Sequence, residues 1–464
     1  MGQGIYLTRS QSSSEDATAR KKFTISGWYK LAANGDAGGW KGFWSAATDG
    51  SNYSSLKQNS DGFIIFEQKS SGTGVTWTSS ARYRDYSSWY HIMVAYDSTQ
   101  ASNTDRVKVY INGSIAPGTH GSFTQDQEGF WGNSASTAGL GRYNNNTGSS
   151  YMYTGYATHI VGTIGYALAP TVFGETDSTT GEWKPRTSPS GITYSANGFY
   201  LKFENSNAMG ADSSGNTNTF TVNGTGSTNG SLIQTTDVPS NNFCTLNPLA
   251  INKFNPPTIS AGSLLITDTN NGNWRICGAS HGFTGGKWYW ETQYTGSNSL
   301  MSGILDINNY NASRNFSAGG DAYPGKYADG QSFGYRDNGT LYHNGNTTSG
   351  KTQWGSAGDI LGIALDMENN ALYAHVNGTY VDSGDPTSGA SKTGSLFNFT
   401  PTAYVTPAIA VSAANTNGGR MNFGNPQFTI SSSNADANGY GSFEYAVPSG
   451  YYAICTENLA LYGG

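Results

Sequence analysis

The chain has 464 residues, a length that suits two consecutive large β-sandwiches, since such domains run to roughly 200–250 residues each. Glycine (62) and tyrosine (30) are abundant while charged residues make up only 12%, which excludes long charged helices and points to short strands joined by tight turns. With a formal net charge of −6 and no basic run longer than Arg20-Lys21-Lys22, the chain lacks the cationic stripe that a phosphate backbone demands, so nucleic acid is excluded as an expected partner.

Residues 1–10 hold no apolar stretch of signal-peptide length, and no run approaches the ~18 apolar residues of a membrane helix. The expectation is a soluble protein made in a cytoplasm, with no signal peptide and no membrane insertion. Strand grammar, period-2 alternation rich in aromatics and closed by Gly, Asn or Asp, begins at Phe23-Thr24-Ile25-Ser26-Gly27-Trp28. It returns at Trp89 to Tyr96 and at Arg106 to Ile111, where Asn112-Gly113 predicts a type I′ hairpin turn. Gly198 to Phe203 and Thr219 to Val222 flank an exposed turn at 212–216 and close a first sandwich over 1–225. Residues 226–257, rich in Ser, Thr, Asn and Gly, read as a linker segment, and a second sandwich spans 258–464. Its strands are Lys287 to Glu291, Ser332 to Tyr335, Asp359 to Asp366 and Ala371 to Val376, the last ending in Asn377-Gly378. Cys244, Cys277 and Cys455 fit neither a disulfide framework nor a metal motif and are expected to be small buried residues. The predicted fold class is all-β, two consecutive antiparallel β-sandwich domains.

These residues carry family resemblances. Tyr6-Leu7, Phe23 to Trp28, Trp89-Tyr90-His91, Val109 to Gly113, and Gly162-Thr163-Ile164 running into Phe173-Gly174-Glu175 resemble the concanavalin A-like, laminin-G-type (LamG) jelly roll over about residues 1–225. Gly286 to Glu291, Gly358 to Asp366, His375 to Gly378 and Met421 to Gly424 resemble a SPRY domain over about 258–455. The tandem, joined by Asp237 to Pro248 and ending near Pro448-Ser449-Gly450-Tyr451, resembles a group of bacteriophage virion proteins. That resemblance implies a structural protein of the particle exterior: a tail fibre or a host-surface adhesion subunit that binds a receptor or glycan. The alternative is a capsid decoration, adaptor or fibre-stem subunit whose partners are other virion proteins. A homo-oligomer is expected on either reading, because weak surface contacts gain from multivalency.

No enzyme is expected. Glycan-cleaving sandwiches of this fold carry Glu-x-Asp-x-x-Glu on one strand, since alternation places those carboxylates on one face, and no such string occurs; a glycan depolymerase is the less favoured third reading. His-Glu-x-x-His, Gly-x-Ser-x-Gly and the phosphate-binding Gly-x-x-x-x-Gly-Lys-Ser/Thr are absent too. His91 and His375, lone on strands, read as packed histidines rather than bases. No cofactor is required. The laminin-G resemblance implies calcium as an option at the sheet rim, with Asp97, Asn103 and Asp105 as the oxygen donors. Sugar recognition needs exposed ring faces beside polar loop residues, which selects Trp40 with Asp36, and Tyr143 and Asn144 with Tyr151 and Tyr153. The SPRY resemblance implies partner-binding loops near Tyr327, Tyr335 and Arg336. Trp288 and Trp290 sit at alternate strand positions and are expected to share one face in the core.

Overall fold

The computed structural model describes residues 5–11, 13–32, 39–143, 151–178, 181–186, 188–224, 232–252, 256–268, 272–296, 299–306, 321–326, 332–400, 404–412 and 415–463. It is almost entirely antiparallel β-structure and divides into two compact units, Met1–Gln234 and Thr235–Gly464.

In the first unit an eight-stranded sheet runs in the order Gly118–His120, Thr73–Arg82, Phe63–Ser70, Asn52–Gln58, Lys41–Asp49, Thr137–Leu140, Tyr6–Ser10, Thr221–Asn223. A six-stranded sheet faces it, in the order Phe199–Leu201, Gly155–Ile164, Lys22–Leu31, Trp89–Asp97, Val107–Ile111, Ser114–Ile115. Alternation turns Phe23, Ile25, Tyr29, Ile92, Val94 and Tyr96 of the smaller sheet onto Trp44, Leu56, Phe66 and Trp77 of the larger one. The rings of Phe23 and Trp44 meet edge to face at 6.3 Å across this core.

The other face of the six-stranded sheet is buried as well. Met93 and Ala95 pack with Val161, Phe173 and Tyr200, while Trp28 and Trp89 pack with Tyr156 and Trp183. This third layer includes a two-stranded ribbon, Gly174–Thr176 with Trp183–Pro185, and it explains why nine of the ten residues of Lys22–Leu31 are buried. On the outer side of the eight-stranded sheet Tyr53 and Lys57 are buried, while Glu67 and Lys69 on the neighbouring strand are partly exposed.

The second unit pairs a seven-stranded sheet, Leu246–Ile251, Arg275–Ala279, Val405–Ser412, Ser299–Asp306, Phe333–Arg336, Leu341–His343, Asn346–Thr348, with a second one. That second sheet runs Thr258–Ser260, Leu265–Asp268, Asn415–Asn422, Lys287–Tyr294, Ile360–Asp366, Ala371–Val376, Thr379–Tyr380, with Phe397–Asn398 and Tyr452–Ala453 added at its sides. Trp288 and Trp290 are fully buried on one face of Lys287–Tyr294, and Tyr289 and Glu291 alternate onto the other. The stretch read as a linker carries structure over 237–251. Phe243 and Cys244 are buried, the Cys244 N–H donates to Ile454 at 2.9 Å, and Leu246–Ile251 pairs with Arg275–Ala279. Within it, Pro239-Ser240 form a turn closed by the bridge between Val238 and Asn241. All three cysteines are free and buried.

The C-terminal stretch covers the second sheet: Phe443, Tyr451, Ala453 and Cys455 pack on Tyr289, Ala364 and Tyr373. Beneath it lies a chain of buried polar groups. Glu291, Gly362 and His375 are cross-strand neighbours, and a Cβ at position 362 would stand 2.0 Å from the His375 Nε2, so only glycine leaves room for the imidazole. The Gly378 N–H donates to His375 Nδ1 at 3.1 Å, which places the imidazole proton on Nε2, 2.7 Å from the Tyr289 hydroxyl. Tyr289 in turn donates to Glu291 at 3.0 Å. Three further donors reach the same carboxylate: Asn422 Nδ2 at 3.1 Å, the Glu444 N–H at 3.0 Å and the Tyr445 N–H at 2.8 Å. Burial raises the Glu291 pKa, and the backbone and side-chain donors act against that rise.

Both Asn-Gly pairs form the expected turns, with positive φ at Asn112 and Gly113 (48° and 78°) and at Asn377 and Gly378 (49° and 83°). Each Asn side chain also accepts from a strand N–H at 2.8 Å, Asn112 from His91 and Asn377 from Ile360. The two sandwiches thus close corresponding hairpins with the same side-chain tie.

Candidate functional site

Three predicted residues, Asp36, Asn144 and Tyr327, lie outside the described residues. Among the rest, the structure gathers Trp40, Tyr143 and Tyr151 from two separate parts of the chain onto the outer side of the eight-stranded sheet. The Tyr151 ring lies 5.6 Å from Trp40 and 5.8 Å from Tyr143. Gly42 makes this approach feasible, because a Cβ there would stand 1.9 Å from the Tyr143 backbone nitrogen. The Gly42 and Tyr143 N–H groups both donate to the Tyr151 carbonyl, at 3.2 and 3.1 Å.

Strand residues complete the cluster. Tyr53 and Lys57 project from Asn52–Gln58, and Glu67 from the adjacent Phe63–Ser70. The hydroxyls of Tyr53 and Tyr143 share a hydrogen bond of 2.6 Å. The Lys57 ammonium lies 4.2 Å from the centre of the Tyr143 ring and 5.4 Å from that of Trp40, and it pairs with Glu67 at 2.5 Å. Burial raises the pKa of both Tyr53 and Tyr143; their shared hydrogen bond adds to the rise at Tyr53 and opposes it at Tyr143, Glu67 adds to both, and both hydroxyls are neutral at physiological pH. The patch therefore offers the partly exposed rings of Trp40, Tyr143 and Tyr151, backed by a buried Tyr53 and an internally neutralised ion pair. Such a surface can stack and hydrogen-bond a polar ligand.

The sequence signal for Trp40, Tyr143 and Tyr151 was aromatic residues in Gly/Asn-rich loops. Tyr53, Lys57 and Glu67 went unnoticed, although period-2 spacing puts Tyr53 with Lys57, and Glu67 with Lys69, on one face of their strands.

Tyr153 and Tyr335 take other places. Tyr153 turns inward: its ring meets Tyr29 and Phe43, and its hydroxyl lies 2.7 and 2.9 Å from the carbonyls of Lys30 and Tyr156. It stands two positions after Tyr151, where strict alternation would put both rings on one side, but Tyr151 holds a left-handed backbone (φ 72°) that breaks the pattern between them. Tyr335 is fully buried and donates to the Thr352 carbonyl at 2.6 Å, as expected for an inward strand position rather than a loop. Arg336, next to it, faces outward over Trp274 at 5.3 Å and donates to Ser299 at 3.0 Å.

At the proposed calcium rim the three residues face separate partners. The Asp97 carboxylate accepts from Thr99 and Gln100 and pairs with Lys22 at 3.4 Å, whereas Asp105 pairs with Lys108 at 3.2 Å. The Asn103 amide donates to the Gly121 carbonyl at 2.9 Å, and its Oδ1 has no hydrogen-bond partner among the described residues. Among the described residues no group of three or more His, Cys, Asp or Glu side chains could hold a metal ion. Chelation is therefore expected to leave the melting temperature unchanged within about 1 °C, checked by thermal unfolding with and without EDTA. A fall of several degrees would place a cation at this rim.

His91 is buried between Trp28 and Trp183, stacked at 4.9 Å on the first. The Trp183 indole N–H donates to Nδ1 at 3.1 Å, so Nε2 carries the proton toward Ser26 Oγ at 2.8 Å. In that tautomer the imidazole cannot take a proton from Ser26. Among the described residues no helix is long and apolar enough to cross a membrane.

A search of curated protein sequences finds no match to the chain. Among solved structures, the chain is similar to the SPRY domain of human HERC1, at 18% identity and a TM-score of 0.28, over 40% of this chain and 99% of that one. It is similar to the TRIM65 PSpry domain at 15% identity and a TM-score of 0.26, over 40% and 100%. It is also similar to the heptameric SAP-like pentraxin of Limulus polyphemus at 16% identity and a TM-score of 0.27, over 36% and 72%. The family model of the concanavalin A-like lectin/glucanase superfamily, in its laminin-G form, matches residues 3–164. Those residues include seven of the eight strands of the sheet that bears the ring cluster, and over them the chain is similar to a concanavalin A-like domain.

Proposed function

We propose that the protein is a non-enzymatic subunit of the exterior of a bacteriophage particle, a tail fibre or host-surface adhesin whose first sandwich binds a host glycan. The observation that carries the reading is the convergence of Trp40, Tyr143 and Tyr151, with Lys57 and Glu67, on the outer side of the eight-stranded sheet. A sugar ring stacks its C–H face on such rings, while its hydroxyls meet Tyr and Lys groups. The tandem with its Asp237 to Pro248 join, similar to virion proteins, supports the setting, and the SPRY-like second sandwich is the natural contact for other virion proteins. In an oligomer, weak single contacts sum to firm attachment.

The test is binding of the intact protein to an array of bacterial surface glycans and to whole host cells. Trp40→Ala combined with Tyr151→Ala is expected to weaken binding at least tenfold, roughly 1.4 kcal/mol or more. Tight association with purified particles without any glycan or cell binding would reject adhesion and leave a decoration, adaptor or fibre-stem role.

A further inference from the structure

Among the described residues, the seven-stranded sheet of the second unit ends on the strand Asn346–Thr348, all three of whose residues are exposed. A two-residue turn, Asn344-Gly345, with φ of 51° and 74°, joins it to Leu341–His343. In such a hairpin the residues flanking the turn, His343 and Asn346, form a hydrogen-bonded pair, so the next pair, Tyr342 and Thr347, does not. Thr347 consequently directs its N–H and C=O outward, away from the sheet.

Alternation puts Asn346 and Thr348 on the same face as Leu341, His343 and Phe333. On that face a shallow cleft opens, lined by these residues with Leu396 and Phe397. Phe397 pairs with Leu372 of the opposing sheet, so the cleft lies at the open flank of the sandwich, between the edges of its two layers. Phe333 and Phe397 stack at 5.3 Å and form its floor.

We propose that this flank receives an extended, uncharged segment of a partner polypeptide by strand addition, with backbone pairing at Thr347 and one aliphatic or aromatic side chain in the cleft. The outward N–H and C=O of Thr347 form a donor–acceptor pair that another strand complements. None of the lining residues is Asp, Glu, Lys or Arg, so nothing there would hold an ionic ligand. The phenylalanine rings are 1% and 5% exposed, which withholds the open face that a sugar needs. The strand also lacks the lysine, proline or bulge with which edges are commonly blocked.

The probe is a fluorescein-labelled, end-blocked peptide of alternating threonine and valine, titrated against the full chain by anisotropy. Saturable binding is expected below about 1 mM. Thr347→Pro, which removes the outward N–H, and Asn346→Lys, which places a charge at the cleft mouth, should each weaken it at least tenfold. Hydrogen exchange should slow in the 341–348 hairpin when peptide is bound. Should Thr347→Pro fail to fold, Asn346→Lys decides alone. Absence of saturable binding, or binding indifferent to the variants, overturns the proposal. So does self-association that Asn346→Lys abolishes, since the edge would then be filled by a second copy.

Discussion

Replacing Glu291 with alanine is expected to destabilise the second unit by about 3–5 kcal/mol, because four donors would be left in a buried site without their acceptor. Two of those donors, the N–H groups of Glu444 and Tyr445, belong to the C-terminal stretch, so the carboxylate fastens that cover onto the sheet beneath it. Glu291→Gln preserves shape yet turns one acceptor into a donor that faces other donors, and it should recover only part of the loss. Urea unfolding of each variant, followed by tryptophan fluorescence, measures the difference. A loss below about 1 kcal/mol would mean that water replaces the carboxylate at this site.

The second large effect is on acid stability. Burial lowers the pKa of His91 to about 3 and of His375 to about 4, against an ordinary value of 6.5. In each case the ring is held neutral by an N–H that donates into it, from Trp183 or from Gly378, and protonation would set two donors face to face. Since both folded-state values lie below the unfolded one, the unfolded chain takes up the protons. Their contribution is complete above pH 6.5 and is lost as pH falls toward the folded values, on the order of 2–3 kcal/mol for each histidine by pH 4. Unfolding free energies measured between pH 7 and pH 4 (about that window) should fall steeply for the natural chain. The fall should be shallower for His91→Gln in the first unit and for His375→Gln in the second. Parallel profiles for variants and natural chain would contradict the assignment.

How much of this was legible follows from what is local. The strands around Phe23 to Trp28, Trp89 to Tyr96 and Lys287 to Glu291, and both Asn-Gly turns, depend on alternation and φ preferences within a few residues, and they could be read directly. The cover layers could not. Nothing in Phe443 or Tyr451 shows that each packs on Tyr289 or Tyr373, more than sixty residues away.

The candidate site divides in the same way. Trp40, Tyr143 and Tyr151 stood out as aromatics in polar loops, but their meeting depends on the pairing of Thr137–Leu140 with Lys41–Asp49 and on the Gly42 N–H that donates to Tyr151. Tyr53, Lys57 and Glu67 look like ordinary outward strand residues until cross-strand register sets them side by side. Tyr335 was read as a strand residue beside a partner-binding loop; the strand runs on to Arg336, and Tyr335 turns into the core instead of toward that loop.

The central claim is that the ring-lined sheet face holds a glycan without cleaving it. Size-exclusion chromatography of host envelope polysaccharide, incubated with the intact protein and with its Trp40→Ala, Tyr151→Ala form, tests this most directly. The account predicts co-elution with the natural protein, none with the variant, and an unchanged polymer length throughout. Shortening of the polymer, or equal co-elution of both proteins, would contradict it.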